Sequence, residues 1–86
     1  MSEKNSFEFE IVRTGSNKII KVEWIEVQSP TGDFIVGPDH SPLVSILKDR
    51  GKLKYKDFDS KNVTKIDTYG GIFRVQENKA VAILDL

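Results

Sequence analysis

The sequence predicts an all-β protein, a two-sheet β-sandwich of about eight to ten short strands. Three observations carry that expectation. Apolar and polar residues alternate with a period of two along much of the chain, as they do in half-buried strands. Apolar residues at helical spacing are nowhere sustained over the length of a helix. Turn-forming residues return about every eight to twelve positions, the rhythm of a sandwich or barrel. No repeat, low-complexity run or linker interrupts the 86 residues, so residues 1–86 are expected to form one domain. Its core must be thin, since a chain of this size buries only about 60–65% of its unfolded surface.

In Phe7-Glu8-Phe9-Glu10-Ile11 the apolar residues share one face and the glutamates the other, which makes a half-buried strand. Thr14-Gly15-Ser16-Asn17 is turn chemistry. Ile19 to Val27 is rich in β-branched and aromatic residues and mostly alternates, so it reads as a second strand. Pro30-Thr31-Gly32-Asp33 turns the chain, and Phe34-Ile35-Val36 resumes as a short strand. Beyond a proline-bounded loop, Leu43-Val44-Ser45-Ile46-Leu47 reads as a buried strand closed by a turn at Asp49-Arg50-Gly51. Leu53 and Tyr55 alternate with Lys52, Lys54 and Lys56, which predicts a strand with a solvated lysine face. A hairpin loop is expected within Asp57 to Asn62. Val63 to Ile66, Ile72 to Val75 and Ala80 to Leu84 complete the set, with Glu77-Asn78-Lys79 turning between the last two. Adjacent glycines at Gly70 and Gly71, just ahead of a strand, point to a bulge or a close backbone approach.

Composition narrows the function. Thirteen basic and thirteen acidic residues balance, which removes the electrostatic basis of nonspecific nucleic-acid binding and of adhesion to an anionic membrane. No apolar run is long enough to span a bilayer, so direct membrane insertion is not expected. Met1-Ser2-Glu3-Lys4-Asn5 has the pattern of neither a signal peptide nor a transit peptide. Cysteine is absent, which favours a reducing compartment, and a single histidine without cysteine leaves no usual zinc site. Neither metal nor cofactor is expected. Lys52 to Lys56 interleaves bases with an aromatic, but Asp57 and Asp59 follow at once, so a solvated strand face is the reading. Trp24 suits core or edge packing as well as it suits a binding anchor.

The only histidine stands in Gly37-Pro38-Asp39-His40-Ser41-Pro42-Leu43. Asp39, His40 and Ser41 are consecutive, and neighbouring side chains in an extended segment point apart, so they do not assemble a Ser-His-Asp triad. No catalytic residue is expected. Pro38 and Pro42 fix φ near −65° and bias Gly37 and Ser41 toward extended conformations. A loop so restricted loses little entropy when a partner docks. A plain inter-strand connection with His40 in solvent would show the same spacing.

Val22-Glu23-Trp24-Ile25-Glu26-Val27, Gly32-Asp33-Phe34, Pro38-Asp39-His40-Ser41-Pro42-Leu43 and Gly70-Gly71-Ile72-Phe73-Arg74-Val75 stand in register with four motifs of one family. The chain resembles the epsilon subunit of F-type ATP synthases across about residues 7 to 86, with Ala80 to Leu84 in the place of the family's last strand. The resemblance implies a two-sheet β-sandwich and a noncatalytic rotor subunit of the central stalk. Such a subunit binds the gamma subunit and the c-ring and couples ion flow to ATP synthesis. The resemblance implies a cytoplasmic place, peripheral on the inner face of a bacterial plasma membrane. By the same likeness, Thr31, Gly32 and Asp33 rest on the polar loops of the c-ring, and His40, Ser41, Pro42 and Leu43 lie at the junction with gamma and the ring. The alternative is a small β-sandwich binding module with an unrelated protein or ligand partner.

Three residues depart from the family pattern. Asp39 stands where the family usually has glycine, which implies either a different loop backbone or a carboxylate that alters pairing with the ring, while Ile35 replaces a glycine and Gly37 a larger apolar residue. Many members continue into a C-terminal pair of helices, whereas this sequence stops at Leu86. Without those helices, helix-mediated inhibition and nucleotide binding are not expected, and an excised domain of a longer subunit would read the same. An apolar patch exposed on one sheet face would favour the stalk subunit, because gamma would cover it.

Overall fold

The structure, a computed structural model, describes residues 5–84. It contains eight strands: β1 (Phe7–Arg13), β2 (Ser16–Ser29), β3 (Gly32–Val36), β4 (Leu43–Ile46), β5 (Asp49–Asp57), β6 (Val63–Tyr69), β7 (Ile72–Gln76) and β8 (Lys79–Ile83). They form one hydrogen-bonded sheet in the order β4-β7-β8-β1-β2-β5-β6, with β3 attached to β2. β1 and β8 run parallel, and the other pairs are antiparallel.

The long strand β2 organises the molecule. Its first half pairs with β1, from Arg13 opposite Ser16 to Phe7 opposite Val22. Its second half pairs with β3 on one side and β5 on the other. Between the halves, the β2–β5 register shifts across Val22 and Trp24. Such an irregularity adds twist and reverses which side chains face inward. Val22 is buried before it, and Ile25, Val27 and Ser29 are buried after it. The all-β class and the count of eight strands agree with the sequence. In place of two separate sheets, one sheet curls into a half-barrel, so that the half holding β4, β7, β8 and β1 faces the half holding β3, β5 and β6.

Aromatic side chains fill the space between the halves. The Phe9 ring meets Tyr55 edge to face at 5.5 Å and Phe73 at 6.4 Å, while Phe34 lies 6.1 Å from Phe73. Phe7, Phe9 and Ile11, together with Leu53 and Tyr55, point inward as their alternation requires. Trp24 is half-buried and lies outside the core cluster, opposite Lys56.

Two readings of the sequence are corrected. Residues 43–47 do not form a buried strand: β4 is the edge of the sheet, and Val44 and Ile46 are 76% and 64% exposed. An uncharged apolar run carries no period and so does not distinguish a covered strand from an edge. Asp49-Arg50-Gly51 is not a turn either. It opens β5 with a register shift between Asp49 and Gly51, and Arg50 takes a left-handed φ of 60°. The chain turns earlier, where the N–H of Leu47 donates to the Gly71 carbonyl and that of Lys48 to the Gln28 carbonyl, both at 3.0 Å.

Candidate docking surfaces

The seven residues singled out as contacts occupy two places, and β3 separates them. Thr31, Gly32 and Asp33 lie at the β2–β3 turn, all exposed. The buried Ser29 hydroxyl closes that turn by donating to the Gly32 carbonyl at 2.6 Å. The turn shares its end of the half-barrel with the β4–β5 corner. Besides the Lys48 bond to Gln28, the Lys52 N–H donates to the Gln28 side-chain oxygen at 2.7 Å. The Thr68 hydroxyl donates to the Lys48 carbonyl at 2.7 Å. Exposed Lys48, Asp49, Arg50 and Tyr69 therefore join Thr31 to Asp33 at one end, a grouping that chain order conceals.

His40, Ser41, Pro42 and Leu43 lie beyond the other end of β3, whose five residues span about 17 Å. Ser41 and Pro42 are exposed and His40 is half-buried, while Leu43 opens β4 and packs against the core. The His40 Nδ1 lies 2.7 Å from the Ser41 carbonyl oxygen. A carbonyl oxygen only accepts, so Nδ1 carries the proton in this bond. The ring is thus engaged by its own loop. Asp39 has a left-handed φ of 58°, a conformation that aspartate enters more readily than most residues. Aspartate here holds the type of backbone that glycine favours, so the substitution does not require a different bend.

The two outward faces of the half-barrel differ in chemistry. On the β5 side, Lys54 reaches Glu26 at 3.9 Å and Lys56 reaches Glu23 at 3.8 Å, with further pairs between Lys61 and Glu23 and between Lys52 and Asp67. The Lys61 hydrogen bond is the main reason that the Glu23 carboxyl is held below its ordinary range. The Asp67 hydrogen bond raises Lys52, and the Ser60 N–H chiefly lowers Asp57. Exposed pairs of this kind add little stability. They keep the lysine rows of this face hydrated, as the lysine pattern predicts, while Ile35 and Val63 stand exposed among them.

The opposite outward face is mixed: Lys79 reaches Glu8 and Glu10, both at 3.5 Å, and beside these charges runs an apolar row in which Ile46 is exposed and the others are half-buried. Ile46 pairs with Ile72, Ile72 with Ile83, and Ile83 with Val12, a row crossing four adjacent strands. The neighbouring row holds Val44, Arg74, Val81, Glu10 and Ile19. Ile19 is 57% exposed, and Val44 and Ile46 are more so. The sequence pointed to what such a patch would mean but named none of these residues. The available signal was the unbroken run Ala80 to Leu84, where apolar residues fall on both faces of one strand. Among the described residues, no group of three or more metal-ligating side chains converges, and no helix is long and apolar enough to cross a membrane.

The chain is similar to parts of solved ATP synthase assemblies. It aligns with a chain in the Euglena gracilis mitochondrial ATP synthase, OSCP/F1/c-ring in rotational state 1, at a TM-score of 0.84 and 16% identity. That alignment covers 98% of this chain and 53% of the other, so this sequence spans about half the length of its relative. It aligns likewise with a chain in the central stalk/c-ring of the Tetrahymena thermophila mitochondrial ATP synthase, at a TM-score of 0.77 and 15% identity, covering 99% of this chain and 67% of the other. At such identities the likeness establishes the fold. Both assemblies are mitochondrial, so they lend nothing to the bacterial source expected from the sequence. No curated protein sequence matches significantly. The family model of the ATP synthase delta/epsilon chain, beta-sandwich domain, matches residues 6–85, and over that span the chain belongs to this family.

Proposed function

We propose that this domain is a noncatalytic element of the central stalk of an F-type ATP synthase, binding the gamma subunit and the c-ring at separate surfaces. The observation that carries the reading is the apolar row Ile46, Ile72, Ile83 and Val12 on one outward face. A soluble domain that worked alone would gain nothing from leaving such a row uncovered. Gamma is assigned to this face. The histidine loop runs directly into β4, the exposed margin of the same face, so His40 to Leu43 are assigned to the gamma side. Thr31, Gly32 and Asp33, on the polar end beyond β3, are assigned to the c-ring. The domain then sits peripherally at the membrane that holds the ring, and its work is to pass rotation rather than to make a bond.

The double substitution Val44→Lys, Ile46→Lys tests the gamma assignment. Both residues are exposed, so the fold should tolerate the change. Affinity for a purified gamma–c-ring subcomplex, measured by titration calorimetry, is expected to fall roughly 100-fold, the size of a lost interface hot spot. Undiminished affinity would refute the assignment. Loop preorganisation makes a separate prediction. Replacing Pro38 and Pro42 together by alanine should weaken that binding about tenfold, because the loop must then be ordered on docking. The midpoint of thermal unfolding should shift little. A double variant that binds as tightly as wild type would remove the role given to the prolines.

A further inference from the structure

Glu77 and Asn78 form the two-residue turn between β7 and β8, with Gln76 paired to Lys79. Both have positive φ, 51° and 59°, the pattern of a type I′ hairpin. The second position of such a turn is the one that glycine fills most easily. Here it carries a side chain. That side chain reaches across to the histidine loop, where the Asp39 N–H donates to the Asn78 Oδ1 at 2.6 Å. On its other side, the Asn78 Nδ2 lies 3.4 Å from the carbonyl of Ser6, the residue that leads into β1.

We infer that Asn78 is the positioning residue of the histidine loop: its side-chain amide secures the left-handed bend at Asp39 and thereby sets the loop's shape before any partner arrives. Pro38 and Pro42 have no N–H, and a non-glycine residue stays left-handed only where its surroundings hold it there. The bond from the Asp39 N–H contributes directly to that hold, and it joins the loop to the β7–β8 hairpin. The consequence for partner binding rests on the docking reading above, whereas the clamp itself does not.

Asn78→Gly separates the clamp from the turn, because glycine favours the turn's backbone and lacks the amide. In the full 86-residue chain, thermal stability should be equal to wild type or higher. The Asp39 amide should nevertheless exchange with deuterium about tenfold faster, the weight of one hydrogen bond. Asn78→Asp keeps an acceptor oxygen and should restore the protection of Asp39. Equal exchange of the Asp39 amide in Asn78→Gly and wild type would overturn the clamp, as would a loss of thermal stability large enough to account for the faster exchange. The Asn78→Gly chain should also bind the gamma–c-ring subcomplex about tenfold more weakly. A loosened loop that binds normally would overturn the presetting role. Failure of the wild-type chain to bind the subcomplex would instead count against the docking reading, and the exchange result would still decide the clamp.

Discussion

Phe9→Ala is expected to destabilise the domain by about 3–5 kcal/mol, the usual range for emptying a buried phenylalanine site. Phe9 is completely buried and sits at the crossing point of the core, edge to face with Tyr55 from β5 and in contact with Phe73 from β7. Its ring therefore touches both halves of the curled sheet. Such contacts contribute about 0.5–1.5 kcal/mol beyond the area they bury. A domain of this length has only about 4–13 kcal/mol of net stability, so the loss is a large share of the whole. Urea unfolding measures it. Phe9→Leu, which keeps much of the volume, should cost clearly less. A loss below about 1 kcal/mol for Phe9→Ala would mean that the halves collapse onto the cavity, and that they are not held apart by the ring.

Gly71→Ala should be nearly as damaging for a different reason. Gly71 has φ of 118°, a backbone region that residues with a side chain rarely adopt. A Cβ there would drive into the carbonyl oxygen of Ile83 and come 3.3 Å from the Leu47 side chain. The Leu47 N–H is bonded to the Gly71 carbonyl, so moving the glycine aside disturbs the β4–β5 corner as well. Backbone strain and overpacking together predict a loss of roughly 2–5 kcal/mol. Gly70→Ala is the control. Gly70 also has positive φ, 87°, but a Cβ there would meet nothing within 4 Å. Only the conformational cost of about 1–2 kcal/mol should appear. Equal losses for the two variants would show that conformation, and not the close approach to Ile83, decides the effect at Gly71.

Alternation made part of this fold legible. Phe7, Phe9, Ile11, Leu53 and Tyr55 face inward because period two leaves them no other arrangement. The paired glycines marked a close approach because only glycine permits one, and Gly71 meets β8 there. Where the apolar pattern lost its period, the reading failed. Leu43 to Leu47 holds no charge to mark its outer side, so pattern alone does not tell this edge strand from a covered one. The shift within β2 was equally hidden, because Trp24 and Ile25 are both large and apolar and either can face inward by pattern alone. Without that shift, nothing in the sequence tells one curled sheet from two. The candidate contacts followed a similar rule. Their residues and the short strand between them were visible as turn, loop and strand chemistry, but the β4–β5 corner that joins Thr31 to Asp33 is a fact of topology. Asn78 was read as a turn residue, since a side chain's reach across 39 positions leaves no local trace.

Strand β2 has a mechanical consequence on the docking reading. It runs unbroken from the hairpin beside β1 to the turn at Thr31, so the polar end is tied to the face bearing the apolar row by covalent backbone. A pull applied at that turn along β2 loads its seven paired positions with β1 in shear, all sharing the force at once. Peeling, in which the bonds open one after another, is avoided. Two separate sheets would instead pass the same force through side chains that can slide. A single strand serving both halves makes the domain stiff along the line on which a rotating shaft would drag it.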